Sequence, residues 1–312
     1  MESAQQNSKK FYAHGKLLLS SEYFVLDGAI AIALPCRLGQ TLSVDKNSTG
    51  YIHWKSIDKD QNIWFESKIY PHQLEQQFSG ADDVLQRIIS LLQAIRAQNP
   101  TFLQENFSCS MTFQLEFPRL WGLGTSSTLI ALLSNWTGTD PYQLLAATFG
   151  GSGYDLACAS AENAIQFQLL NSRPQVSKAN FDPPFIDQLY FVYLEKKQNS
   201  RSGIQLYKSK GTPSPALIDD MNALSIGMTQ AENLESFEDH IRKHELFLSN
   251  YLGLPTVQGQ LFTDYWGCVK SLGAWGGDFA LVTSDRSADS TQSYFRAKGY
   301  TTFLPYRELV LC

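Results

Sequence analysis

The chain has 312 residues, a formal net charge of −5, and a composition that is 43% hydrophobic and 18% charged. That length suits one large domain or two of ordinary size, and the apolar content excludes a disordered chain. The acidic balance gives no footing for a nucleic-acid binder, which carries a basic excess, although a local basic cluster can still hold a small anion.

In chain order, "FYAHGKLLL", "AIAIALPC", "QTLSVDK", "YIHWKSI" and "NIWFESKI" alternate or cluster apolar residues between turn signals, which predicts five strands before residue 70. "GADDVLQRIISLLQAIRAQNP" places Val84, Leu85, Ile88, Ile89, Leu91, Leu92 and Ile95 at helical spacing, with Asp82 and Asp83 at its start and Asn99-Pro100 at its end. "NFSCSMTFQLEFP" alternates as a strand, and "STLIALLSNWTG" reads as a helix. "DPYQLLAATF" reads as another, with Asp140 as cap and Pro141 as first residue. "GGSGYDLACASAENAIQFQLL" is expected to run as a third helix from a glycine-rich start. The polar "NSRPQVSKANFDPP" is expected to mark a domain boundary near residue 172. Beyond it the pattern predicts a strand ("LYFVYLEKK"), two helices over 214–250, a helix from about Phe262, a strand ("DFALVTS"), and a last helix with two strands. No repeat or low-complexity tract interrupts this α+β order.

The five cysteines (Cys36, Cys109, Cys158, Cys268 and Cys312) are odd in number, scattered and without CxxC pairing. Neither a disulfide framework nor a zinc site is indicated. The polar "MESAQQNSKKFYAHGK" has no apolar core of a secretory leader, and runs such as "AIAIALP" are too short for a bilayer. A cytoplasmic chain, with its three N-x-S/T matches due to chance, is the expectation.

The stretch "WGLGTSSTLI" poses the functional question. Gly122 and Gly124 let backbone approach an anion, Thr125, Ser126 and Ser127 add hydroxyls, and the helix that follows presents unsatisfied N–H groups. One hydroxyl can also ligate a phosphate-bound Mg²⁺. Taken alone, the residues leave a phosphate loop and an ordinary glycine turn with a Ser/Thr cap equally open. The pattern is neither GxxxxGK[ST] nor GxGxxG.

Three segments in order change that balance: "HGKLLLSSEYFVLDGAIAIALP", Pro118 followed by "GLGTSS", and "KSLGAWGGDFALV". Together they resemble the three motifs of the GHMP kinases, over residues 13 to 282. The resemblance implies a two-lobed α+β GHMP kinase fold with an N-terminal ribosomal-protein-S5-like lobe and a C-terminal ferredoxin-like lobe. It divides the chain into an ATP-binding domain, 1–172, and a C-terminal domain, 173–312. In the first motif Gly15, Lys16, Leu19, Glu22, Tyr23, Val25 and Gly28 match, whereas His14 and Ser21 replace the usual proline and glycine. The resemblance casts Lys16 as the cation facing the transferred phosphoryl group. A surface lysine at a strand start is the structural alternative. Gly122, Leu123, Gly124, Thr125, Ser126 and Ser127 would hold ATP phosphates, with Ser126 nearest Mg²⁺. "GGSGYDLACASAE" resembles the "GSxxD[IV]A" helix of mevalonate and phosphomevalonate kinases, which makes Asp155 the base or orienter for the acceptor. Its plain alternative is a helix cap. Gly273, Gly276 and Gly277 would support the nucleotide and substrate loops, with Trp275 standing where glycine is usual.

Between Asp140 and Asp155 no acidic residue occurs, unlike animal-type mevalonate kinases, and Gly276-Gly277-Asp278 resembles the bacterial phosphomevalonate kinase ending. "EKKQNSRSGI" supplies Lys196, Lys197, Ser200 and Arg201, which with Glu22 are candidate contacts for an anionic small-molecule acceptor. A solvated basic turn is equally consistent with them. The reading favours ATP-dependent, Mg²⁺-assisted phosphorylation of 5-phosphomevalonate. Mevalonate as acceptor, a catalytically silent homologue, and the related diphosphomevalonate decarboxylase remain as alternatives. No nucleic acid or membrane is expected as partner, and the resemblance allows a homodimer. His240 and His244, four apart amid Glu238, Asp239, Arg242, Lys243 and Glu245, are expected on a charged solvent face and not at a metal.

Overall fold

Alternation of inward and outward side chains builds the strands. The computed structural model describes residues 8–75, 82–102, 107–196 and 200–311. The chain divides into two compact units. The first takes residues up to Gly15, Leu38–Arg119 and Gly124–Ser160; the second takes Lys16–Arg37, Leu120–Leu123 and the chain from Ala161 onward.

In the first unit the ladder runs β4 (Ile63–Ile69), β3 (Ile52–Ile57), β5 (Cys109–Leu115), then the later half of β2 (Ala31–Lys46). β3 and β4 form a hairpin, and β5 returns parallel to β3 after α1 (Asp83–Gln98). Such a return needs a crossover, and the helix supplies it. The Asp82 carboxylate starts α1 by accepting from Val84 N at 2.8 Å and Leu85 N at 3.2 Å. Ile88, Ile89, Leu91, Leu92 and Ile95 of α1 are buried in one apolar cluster with Trp54, which stacks on Phe113 at 4.4 Å. Burial of each such side chain stabilises by about 1.5–3 kcal/mol. The helices α2 (Thr125–Thr137), α3 (Pro141–Thr148) and α4 (Tyr154–Ala159) complete this unit.

The second unit begins within β1 (Lys9–Leu18), which pairs with β2. Here the early half of β2 pairs with β6 (Ile165–Leu170), and β6 turns tightly into β7 (Arg173–Lys178). A separate antiparallel sheet has the order β11 (Phe303–Pro305), β8 (Leu189–Tyr193), β10 (Phe279–Thr283), β9 (Val269–Ser271). With it come α5 (Ser200–Ser209), α6 (Pro215–Gln230), α7 (Leu234–Leu252), α8 (Val257–Leu261), α9 (Ala288–Ala297) and α10 (Tyr306–Leu309).

Several elements correct the sequence reading. The strands expected at 29–36 and 40–46 are one continuous strand, β2. The helix expected to reach Leu170 stops at Ala159, because Ile165 and Phe167 alternate inward and pair with Ala33 and Ala31. The polar "NSRPQVSK" is a hairpin turn and edge strand. The helix expected from Phe262 lies before it, as α8, with Phe262 as its buried C-cap. Where a final strand was expected α10 forms, and Val310 then bridges Cys36. The basic turn "EKKQNSRSGI" enters α5, which the sequence reading did not anticipate. No helix of the described residues is long and apolar enough to cross a membrane.

Candidate active site

Lys16 sits near the end of β1, where its amide donates to Leu123 O at 2.9 Å and its ammonium donates to Gly122 O at 3.0 Å. Both contacts lie in the second unit and pin the strand carrying the first motif to the start of the glycine loop. A side chain at Gly122 would overlap the Asp278 carboxylate, so only glycine fits there. Tyr193 holds the preceding turn through its hydroxyl, which donates to Leu120 O at 3.2 Å.

In the first unit, Gly124 stands at the N-cap of α2 with φ 94°, and no side chain caps this helix. The amides of the first turn have no intrahelical acceptor. Thr128 N is the first to bond back, to Gly124 O at 2.9 Å. Ser127 is buried, and its hydroxyl turns back to Gly124 O at 2.8 Å. Ser126 is exposed at the same helix start. Free backbone N–H groups, the positive end of the helix dipole and one outward hydroxyl are the features by which helix starts attract anions.

Asp155 lies in the first turn of α4, half-buried, and its Oδ1 accepts from Leu156 N at 3.1 Å. Its charge reaches Tyr142, whose phenol is raised above its ordinary value first by burial and then by Asp155 and Asp140. Gly153 carries φ 87° at the N-cap of α4, again with no side-chain cap.

The other expected residues fall in the second unit. Gly273, Gly276 and Gly277 form the loop between β9 and β10. Trp275 does not project into solvent. It is buried with Tyr23, Phe24, Tyr207, Leu248 and Leu252, and its indole donates to Pro255 O at 3.1 Å. Lys196 is exposed and its carbonyl accepts from Asp278 N at 2.8 Å. Arg201 is exposed on α5, Ser200 opens that helix, and Lys197 lies outside the described residues.

Glu22 is fully buried, with Oε1 2.6 Å from Lys270 Nζ, itself fully buried. His244 and Glu245 correct the expected solvent face: both are buried, and Lys270 Nζ also reaches Glu245 Oε1 at 3.4 Å. The sequence held a signal for this. Phe237, Ile241, His244, Glu245, Leu248 and Leu252 share one helical stripe, so two ionisable residues interrupt the apolar face of α7. Ser21 explains the departure from glycine in the first motif. It adopts φ 64°, a left-handed conformation, and three bonds hold it there. Its hydroxyl donates to Ile30 O at 2.6 Å and meets Ser225 Oγ at 2.9 Å, and its amide donates to His244 Nε2 at 3.1 Å.

Among the described residues, no group of three or more His, Cys, Asp or Glu side chains is placed to hold a metal ion.

No protein-family description matches the sequence, and no curated protein matches it either. Solved structures do match in fold. The Methanococcus jannaschii mevalonate kinase aligns with a TM-score of 0.72 at 12% identity, over 99% of this chain and 99% of that one. The Streptococcus pneumoniae phosphomevalonate kinase in complex with phosphomevalonate and AMPPNP gives 0.71 at 16% identity, over 94% and 97%. The Lactococcus lactis galactokinase complexed with galactose gives 0.69 at 11% identity, over 98% and 96%. The chain therefore has the mixed α+β fold of GHMP kinases.

Proposed function

We propose that the chain is an ATP-dependent small-molecule kinase of the GHMP type, acting on 5-phosphomevalonate. The observation that carries this is the start of α2, an uncapped helix N-terminus at Gly124, on a fold shared with kinases. Amides there neutralise phosphate oxygens without needing to reorganise. Lys16 adds a full positive charge as charge spreads over the transferred group. Ser126 would hold Mg²⁺, which supplies further charge neutralisation when bound with ATP.

In the transfer step an acceptor phosphate oxygen attacks the γ-phosphorus in line. The bond to the β,γ-bridging oxygen breaks, and ADP leaves with that electron pair. A phosphate acceptor is already deprotonated near neutral pH, so Asp155 orients it more than it acts as base. With mevalonate as acceptor, Asp155 would take the hydroxyl proton. Two features favour the phosphorylated acceptor: the run from Asp140 to Asp155 without an intervening carboxylate, and the basic residues Lys196 and Arg201.

A coupled ADP-release assay with Mg-ATP tests the reading on 5-phosphomevalonate, mevalonate, homoserine and galactose in parallel. Turnover on phosphomevalonate, lost in Asp155→Ala, is the expected result. Turnover on mevalonate alone would move the acceptor and keep the mechanism, and no turnover on any of the four would overturn the reading.

A further inference from the structure

The loop between β9 and β10 contains three glycines, yet it is fixed from one end by a charged cluster that no step above uses. Lys270, the middle residue of β9, has its ammonium 2.6 Å from Glu22 Oε1 and 3.4 Å from Glu245 Oε1, and it donates to Ser271 O at 2.9 Å. The Ser271 amide donates to Glu245 Oε2 at 3.2 Å, and the Ser271 hydroxyl accepts from Gly276 N at 2.9 Å. Ser271 is thus held at its carbonyl by Lys270, at its amide by Glu245 and at its hydroxyl by the loop. The next amide back, Trp275 N, donates to the Tyr23 hydroxyl at 2.9 Å. Two successive loop amides are therefore tied, one to Tyr23 beside Glu22 and one to Ser271 beside Lys270.

Stability alone does not account for this arrangement. Taking an ammonium and two carboxylates out of water costs about as much as their attraction returns, and apolar replacements of equal volume often serve stability as well. What buried charges supply is directional, position-specific bonding, and here every such bond converges on the base of one loop. We propose that Lys270, clamped by Glu22 and Glu245, is a positioning residue that holds the 272–277 loop in its binding-ready shape through Ser271. This rests on the kinase reading above for what the loop binds; the clamp itself stands on the distances. His244 completes the enclosure: its Nε2 accepts from Ser21 N and lies 3.2 Å from Glu22 Oε2.

Amide hydrogen exchange without ligand, followed by steady-state kinetics, tests the clamp. Lys270→Met, Glu245→Gln and Ser271→Ala are compared with Phe295→Leu, a cavity variant in the separate aromatic cluster around Tyr190 and Val282. Each clamp variant is expected to speed exchange at Trp275 and Gly276 by about tenfold, the order of one lost hydrogen bond. KM for ATP or acceptor should rise more than kcat falls. Phe295→Leu should lower Tm without either change. Should Lys270→Met fail to fold, Ser271→Ala removes one tie and leaves every charge in place. The proposal is overturned if exchange at those amides is unchanged in folded clamp variants, or rises no more than in Phe295→Leu. Because exchange needs no turnover, a kinase assay silent on every acceptor would overturn the functional reading and leave the clamp measurable.

Discussion

α2 and α3 follow one another in the first unit and begin in opposite ways. α3 starts with Asp140, whose carboxylate accepts from Tyr142 N at 2.8 Å and Gln143 N at 3.2 Å. α2 starts with Gly124, which has no side chain to offer. Elsewhere Asp82, Ser214, Asn233, Thr256 and Ser287 cap α1, α6, α7, α8 and α9, whereas Gly153 leaves α4 uncapped and Pro305 opens the single-turn α10 without a side-chain cap. A side-chain cap contributes about 1 kcal/mol. α2 and α4, which carry Ser126 and Asp155, forgo it, and the proposed function gives a reason: their first turns would be left open for ligand.

The largest expected effect that would break this contrast is at α4. Asp155→Ala should lower kcat by about 10²–10⁴-fold, at the lower end if it only orients a phosphate acceptor and at the upper end if it takes a hydroxyl proton, with Tm little changed; the ADP-release assay reads it. Lys16→Met should cost about 10²–10³-fold in kcat, the scale of a lost charge-stabilising donor, and isothermal titration should show weaker ATP binding. Asp140→Ala should do the reverse of both. Thermal unfolding should show a loss of about 1 kcal/mol with KM for ATP unchanged, since this cap touches only the start of α3. A rise in KM for ATP in that variant would erase the distinction between the two helix starts.

The smallest effect is pH-dependent and belongs to the second unit. Burial lifts the Glu245 carboxyl to about 7, opposed by Lys270 and reinforced by Glu22. Glu22 is also raised by burial, and neighbouring His244 is held neutral by burial and by Lys270. A carboxyl raised in the fold binds its proton more tightly than in the unfolded chain. Its contribution is therefore complete below the unfolded value near 4.5 and is lost as pH rises through 7. Because His244, held neutral in the fold, adds stability as pH rises to its ordinary value of 6.5, Tm should decline mainly between about 6.5 and 8, and Glu245→Gln should flatten that decline. An equal slope in the variant would assign it to other groups.

Two capped helices of the first unit were legible in the sequence. Asp82 and Asp140 announced α1 and α3 within a residue, because the cap and the apolar period agree locally. "ASAENAIQFQLL" misled because alanine and glutamine favour helix, while pairing with Ala31 and Ala33 draws Ile165 and Phe167 into a strand. At the candidate site, the glycine loop, Lys16 and Asp155 were readable as motifs, and their roles in transfer belong to the proposed function. The Lys270 clamp was not, since its partners lie 248 and 25 residues away in sequence. A His-Glu pair among charged neighbours reads as surface unless the apolar stripe of α7 is followed through it.

Ser21 carries a consequence for how the protein is made. Its left-handed turn is held by Ser225 and His244, which come 204 and 223 residues later. At a synthesis rate of 5–20 residues per second, roughly ten seconds or more separate the first motif from the residues that set its shape. A nascent chain ending before α7 has translated Lys16, Glu22 and Ser225 but lacks His244, which accepts from the Ser21 amide. The final shape of this turn therefore arrives late, as a property of the nearly finished polypeptide.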